Sequence, residues 1–150
     1  MVRIILLGAG EAGYEIAQKL SQEGHDVIVI EKDPEVARHV EENVDVMTLI
    51  GNGASSRLLE QADVKHADML IAVTDIDEIN IVACMVAKCH GVAKTVARVR
   101  NTDYWDTSNL TPDKIGIDLM INPERVVGLE IARLLRSPAA SDVVYFADGR

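Results

Sequence analysis

Aromatic residues are scarce in this chain. One tryptophan, three tyrosines and one phenylalanine make up 3% of 150 residues, so aliphatic side chains have to build the core. Cysteine is scarcer still. Cys84 and Cys89 lie five positions apart in a predicted helix, which turns them about 140° away from each other. That is poor geometry for a disulfide or a shared metal. Cys89-His90 has no second ligand pair to complete a site, so both thiols are expected to be buried apolar residues. His25, His39 and His66 stand singly near turns or on polar faces and are expected at the surface. Basic charge is in deficit: 15 Lys and Arg face 24 Asp and Glu, for a formal net charge of −9. This excludes a basic footprint for nucleic acid and argues against direct binding to anionic lipid. No apolar run approaches the roughly 18 residues that span a bilayer. The opening Met1-Val2-Arg3 runs straight into a predicted strand without the pattern of a signal peptide, so a cytosolic location is expected. No internal repeat or low-complexity segment is evident.

What is present is globular in composition, with 48% hydrophobic and 26% charged residues, and of ordinary single-domain size. The stretch RIILLGAGEAGYEIAQKLSQEGHDVIVIEK at 3–32 organises the rest. An apolar run at 4–7 meets Gly8, Gly10 and Gly13 at the spacing G-x-G-x-x-G. Ala12, Ile16, Ala17 and Leu20 then recur at helical spacing, Gly24 stops that helix, and a second apolar run at 27–30 ends in Glu31. A strand, a glycine loop, a helix and a second strand ending in an acid roughly 20 residues on form the context a dinucleotide fingerprint needs. Gly8 allows the tight turn, Gly10 lets a pyrophosphate approach the backbone, and Gly13 lets the helix lie close to the sheet. The helix start supplies free N–H groups and a positive dipole. Glu31 is placed to accept from both ribose hydroxyls and to repel a 2′-phosphate, favouring NAD over NADP. A glycine turn without a ligand is the plainer alternative.

Downstream, strands and helices alternate. Asp33-Pro34 opens a second helix, Asp33 as cap and Pro34 at the first helical position, with Val36, Ala37 and Val40 inward and Asn43 at its end. Residues 44–50 read as a third strand. The loop Gly51-Asn52-Gly53 follows, then a short helix to Gln61 capped by Ser55 or Ser56. The fully apolar strand at 69–73 belongs in the centre of a parallel sheet. Thr74 or Asp75 is expected to cap the next helix, which runs to about His90 with Ile79, Val82, Ala83, Val86 and Ala87 inward. Strands at 95–99 and 118–121 follow, separated by a polar loop containing Tyr104 and Trp105. A helix from Asn122-Pro123 carries Val126, Val127, Leu129, Ile131, Leu134 and Leu135 on more than one face, so a partner chain is expected on the second face. After Pro138 a short strand at 142–146 begins, which makes the chain read as a fragment of something longer. Six strands alternating with helices predict an α/β, doubly wound, Rossmann-like parallel sheet. Ligands bind such sheets at the carboxyl ends of the strands, which is where 8–13, Glu31, Asn52, Thr74, Asp75 and Arg98 are placed. Arg98 is positioned either to pair with a diphosphate or to stand solvated at a strand end.

GAGEAG, VIVIEKD, GNGASSRLLEQADVKHADMLIAVTDIDEINIVAC, ARVRN and INPERVVGLEIARLL together resemble the RCK (KTN, TrkA-N) domain of Trk potassium-uptake regulatory subunits, over nearly the whole chain. The closing SPAASDVVYFADGR is similar to the start of that family's small C-terminal lobe. The resemblance implies an RCK N-terminal domain over 1–136, including a dimerisation helix at 123–136, and the beginning of a C-terminal subdomain at 137–150. It implies a cytosolic gating subunit rather than an enzyme, held at the inner face of the cell membrane by a membrane-embedded potassium channel or transporter. It further implies homodimers and higher rings, and binding of NAD(H) or an adenine nucleotide such as ATP, ADP or AMP. The nucleotide-binding positions carry over to Gly8, Ala9, Gly10, Glu11 and Ala12, to Glu31, to Thr74 and Asp75, and to Arg98 on the phosphate side; Gly13, Lys32 beside Glu31, and Asn52 at the end of the third strand complete the expected cofactor-binding set. Some relatives place an arginine where this chain has Glu11. A carboxylate there repels a triphosphate tail, so NAD(H) is favoured over ATP.

Two other classes compete. An NAD-dependent oxidoreductase needs a proton donor or acceptor beside its substrate, normally from a second domain, and no Tyr-x-x-x-Lys or positioned His-Asp pair is present, so that reading makes this chain a cofactor domain whose catalytic domain is missing. A nucleotide-sensing transcription factor needs a basic recognition helix, and none is present.

Overall fold

The computed structural model describes residues 1–104, 111–122 and 130–135. Strands β1 (Arg3–Leu7), β2 (Asp26–Glu31), β3 (Met47–Ile50), β4 (Met69–Ala72), β5 (Lys94–Arg98) and β6 (Leu119–Ile121) form one sheet in the order β3-β2-β1-β4-β5-β6. Every neighbouring pair is parallel. The chain steps outward from β1 to β3, returns, and continues outward from β4 on the other side. The strand order therefore switches between β1 and β4, and the carboxyl ends of these two strands open a crevice.

The helices are α1 (Glu11–Gln22), α2 (Pro34–Asn43), α3 (Ser56–Gln61) and α4 (Asp77–Cys89). Alternation along the central strands sorts them onto two faces. Ile4, Leu6, Val27, Val29 and Ile71 point to the side covered by Ala17 of α1 and Val40 of α2. Ile5, Leu7, Ile30, Leu70 and Ala72 point to the side covered by Leu59 of α3 and Ala83, Cys84 and Ala87 of α4. Strands buried on both faces need the continuous aliphatic runs seen in β1 and β4.

Local chemistry sets the boundaries. The Asp33 side chain accepts from the Glu35 N–H at 3.0 Å, and Pro34 takes the first helical position of α2. Ser55, not Ser56, caps α3 by accepting from the Leu58 N–H. Other expectations need correction. Strand β3 begins at Met47 rather than at 44, because Val44 closes α2 by donating its N–H to the Val40 carbonyl at 2.8 Å. Neither Thr74 nor Asp75 caps α4. Its cap residue is Ile76, with no side-chain hydrogen bond, and the Thr74 hydroxyl is turned to Asn80 instead. Val82 faces solvent, and the buried face of α4 is Asn80, Ile81, Ala83, Cys84 and Ala87. Only one thiol is interior: burial pushes Cys84 up to about 12, whereas Cys89 is exposed. The histidines are less solitary than expected. His66 Nδ1 lies 2.7 Å from Asp63, His39 stacks on Tyr14, and half-buried His25 accepts from the Val2 N–H. Trp105, the helix residues 123–129 and 136, and the strand at 142–146 lie outside the described residues.

Candidate functional site

A cavity of about 720 Å³ opens over the carboxyl ends of β1, β2, β4 and β5. Its floor is the glycine loop. Gly8 has φ +94, a left-handed conformation that suits glycine, and its N–H donates to the Ile30 carbonyl at 2.9 Å. Gly10 is extended and exposed, and a Cβ built on it meets nothing within 4 Å, so the added group would stand in the open cavity. Gly13 is different: a Cβ there would lie 1.9 Å from the Gly8 carbonyl oxygen. The three glycines thus serve turn, approach and close packing, as the fingerprint spacing requires. Gly10 also precedes the first turn of α1 without offering a capping side chain, which leaves that helix start to whatever occupies the cavity.

Glu31 stands at the end of β2. Its Oε1 accepts from the Ala9 N–H at 2.8 Å and its Oε2 from the Asp33 N–H at 2.9 Å. Lys32 is exposed beside it on the wall. Asn52 contributes from the loop after β3, where its side chain accepts from the Ala54 N–H at 2.9 Å. Thr74 and Asp75 contribute from the end of β4, and Arg98, half-buried, from the end of β5. Glu11, Ala12 and Gly13 complete the loop side.

The expected site residues therefore converge on one wall, with one exception. Ala9 is buried at 4% exposure and does not line the cavity; its N–H is held by Glu31. Several wall residues were missed, among them Glu15, Asp33, Val36, Ile76 and Ile79. Glu15 lies one helical turn on from Glu11, a spacing that could have pointed to it. The carboxylates of Glu11, Glu15, Glu31, Asp33 and Asp75 outnumber the cations of Lys32 and Arg98 around the opening. Beyond the wall, Asp77 accepts from the N–H groups of Arg100 and Asn101 at 3.0 and 2.7 Å, tying the segment after β5 to the start of α4. Tyr104 donates its hydroxyl to Glu78 at 2.6 Å, and that bond raises the Tyr104 phenol above its ordinary range. Among the described residues, no group of three or more His, Cys, Asp or Glu is disposed to hold a metal ion. No helix among them is long and apolar enough to cross a membrane.

The arrangement suits a dinucleotide, with a backbone cradle that admits a diphosphate and an acid at the second strand end. Known proteins bear on the reading. The structure is similar to the TrkA-N domain of the inner membrane protein ybaL from Escherichia coli, with a TM-score of 0.75, 20% identity, and 90% of this chain and 98% of that chain covered. It is also similar to the GsuK channel bound to NAD, with a TM-score of 0.71, 20% identity, and 85% and 22% covered. These two likenesses establish the fold. In sequence, the chain is 44% identical over 156 residues to the Trk system potassium uptake protein trkA homolog 1 of Methanosarcina mazei, covering 99% of this chain and 38% of that relative. The chain thus spans little more than a third of that relative's length. A family model of the TrkA-N domain matches residues 4–123, so most of the described sheet, the glycine loop and the cavity wall fall within the match, and the chain belongs to the TrkA-N domain family.

Proposed function

We propose that this chain is the nucleotide-sensing domain of a potassium-uptake regulator, and that the cavity over β1 and β4 takes NAD(H). The observation that carries the reading is the pairing of an open cradle at Gly10 with Glu31 at the end of β2. The cradle accepts a diphosphate against the backbone, and each Glu31 oxygen keeps lone-pair capacity for a ribose hydroxyl. The excess of carboxylates, Glu11 above all, disfavours further phosphate charge, so NAD(H) is preferred to NADP(H) and to ATP. ADP and AMP, with fewer charges than ATP, are the weaker alternatives. That a protein of the same fold, the GsuK channel, is described as bound to NAD supports this ligand class.

In this reading the domain is a sensor without chemistry of its own. It sits in the cytoplasm, reaches the inner face of the membrane only through a potassium channel or transporter subunit, and works as a homodimer within a larger ring. Residues 1–136 form the nucleotide-binding unit, and 137–150 begin a second subdomain. Site roles follow from position: the 8–13 loop and Arg98 toward the diphosphate, Glu31 and Lys32 toward a ribose, and Asn52, Thr74 and Asp75 along the flanks.

Isothermal titration of NAD+, NADH, NADP+, ATP, ADP and AMP into one sample tests the proposal. Saturable binding of NAD+ or NADH, tighter than NADP+ or ATP, is the expected result, with no hydride turnover against a panel of alcohols and hydroxy acids. Equal or tighter binding of NADP+ or ATP would overturn the ligand assignment, and turnover would overturn the sensor role.

A further inference from the structure

Asn80 is a polar residue on a helix face that is otherwise apolar. Its side chain is 0% exposed, and the other buried residues of α4 are Ile81, Ala83, Cys84 and Ala87. A buried amide is costly unless its two donors and two acceptor positions are all used. Here all are. Oδ1 accepts from the Thr74 N–H at 3.0 Å and from the Thr74 hydroxyl at 2.6 Å. Nδ2 donates to the Thr74 carbonyl at 3.0 Å and to the Arg98 carbonyl at 2.8 Å.

Both partners lie on the cavity wall, whereas Asn80 does not. Thr74 follows β4 and Arg98 ends β5, so one side chain fixes the carboxyl ends of two adjacent strands from behind. We propose that Asn80 is a positioning residue for the nucleotide site, acting through Thr74 and Arg98 by holding the backbone from which they face the ligand. The inference rests on the nucleotide site proposed above. The requirement for asparagine is chemical. Aspartate lacks the donors for the two carbonyls and adds a charge, and serine offers a single hydroxyl in place of four bonds. A side chain serving only to hold α4 onto the sheet could be aliphatic, like its neighbours Ile81 and Ala83.

The experiment is a double-mutant cycle on nucleotide affinity, with NAD+ as the probe and folding checked by circular dichroism at the titration temperature. The four proteins are the parent, Asn80→Ser, Arg98→Ala and the double variant. Asn80→Ser is expected to weaken NAD+ binding at least tenfold while folded, and to cost no more than about threefold further in the Arg98→Ala background. An unchanged affinity in Asn80→Ser, or losses that simply multiply, would overturn the proposal, since a general loosening acts independently of Arg98. A parent that binds no NAD+ would overturn the nucleotide site and this inference with it. Should Asn80→Ser fail to fold, the unmodified protein decides by NMR. The Asn80 side-chain amide is expected to shift with NAD+ along the same saturation curve as the Thr74 amide, while the Asn43 side-chain amide, bonded to the His39 carbonyl, stays still. An Asn80 amide that does not move would overturn the inference.

Discussion

Glu31 and Ala9 are joined by a hydrogen bond of 2.8 Å from the Ala9 N–H to Oε1, across the gap between the ends of β2 and β1. The second carboxylate oxygen takes the Asp33 N–H at 2.9 Å. The acid of the fingerprint thus does two things. It presents oxygens to the cavity, and it pins the glycine loop whose backbone forms the cavity floor. Charge-assisted bonds of this kind are stronger than neutral ones, so the loop is held in shape before any ligand arrives.

Replacing Glu31 therefore removes a ligand contact and a loop restraint together. Glu31→Ala is expected to weaken NAD+ binding by about 1–3 kcal/mol, the cost of leaving hydroxyls and a buried N–H unpaired. Glu31→Gln, which keeps one acceptor oxygen for the Ala9 N–H, is expected to fall between parent and alanine. Titration calorimetry checks both. Parent-like binding by Glu31→Ala would place the ribose elsewhere.

The glycines of the loop separate binding from folding. At Gly10 an added Cβ meets nothing within 4 Å, and the backbone angles, φ −65 and ψ −164, suit any residue. Gly10→Val is expected to keep its melting temperature within a few degrees and to lose NAD+ binding. At Gly13 a Cβ would sit 1.9 Å from the Gly8 oxygen and 2.7 Å from its carbon, both backbone atoms that cannot swing aside. Gly13→Ala is expected to cost about 3 kcal/mol or more of stability, through the overpacking that forces α1 off the sheet. Urea unfolding of the two variants gives the contrast, and a stable Gly13→Ala would contradict the packing argument.

The far end of the sheet sets an acid limit. Asp118 lies 2.7 Å from the Lys88 ammonium and accepts from the Thr95 N–H at 2.8 Å. The lysine hydrogen bond first, and the Thr95 N–H next, hold its carboxyl below the ordinary 3.8. A carboxyl lowered on folding contributes fully above its unfolded value, and the contribution is lost as pH falls through the lowered one. Asp118→Asn is therefore expected to reduce the urea midpoint at pH 7, with the difference from the parent shrinking as pH falls from about 5 to about 3. Asp63 is also lowered, chiefly by its bond to His66, so the parent-to-variant difference is the quantity to follow. A difference that is constant with pH would sink the assignment.

The sheet was legible because its signals are local: the aliphatic runs of β1 and β4, the Asp33-Pro34 start of α2, and glycines at fixed spacing. The switch point follows from the parallel order, which is how Thr74, Asp75 and Arg98 reach the same cavity as Gly8 and Gly10 although they are far apart in sequence. Asn80 was not legible as part of the site. Nothing in the spacing of α4 says that its inward polar residue grips two strand ends, because those bonds depend on the β4–β5 register. Val82 departs from its expected inward place for a related reason. A helix with apolar residues on several faces leaves its inner face undetermined by periodicity, and the buried side centres on Ile81 and Cys84. Ala9 reads as a ligand contact by its place in the motif, but its N–H belongs to Glu31.

Residues 130–135 are helical, and Ile131 and Leu135, four apart and so on one face, are 51% and 81% exposed. On the same stretch Leu134 is half-buried, and Glu130, 9% exposed, pairs with Arg133 at 3.3 Å. The helix therefore shows solvent two large aliphatic side chains while its other side is partly covered. A second copy related by a two-fold axis covers such a face at least cost, because the same patch is supplied twice. Val127, expected on the same stripe one turn before Ile131, and Val126 and Leu129, expected toward another face, lie outside the described residues. Sedimentation equilibrium at tens of micromolar is expected to give a dimer, and Ile131→Asp with Leu135→Asp a monomer whose NAD+ affinity is within about threefold of the parent, since neither residue lines the cavity. In the proposed regulatory reading, a symmetric pairing through this helix would relate two nucleotide sites across the two-fold axis. A parent that sediments as a monomer, or a dimer indifferent to both aspartates, would remove this interface from the regulatory reading while leaving the nucleotide site to stand on its own titrations.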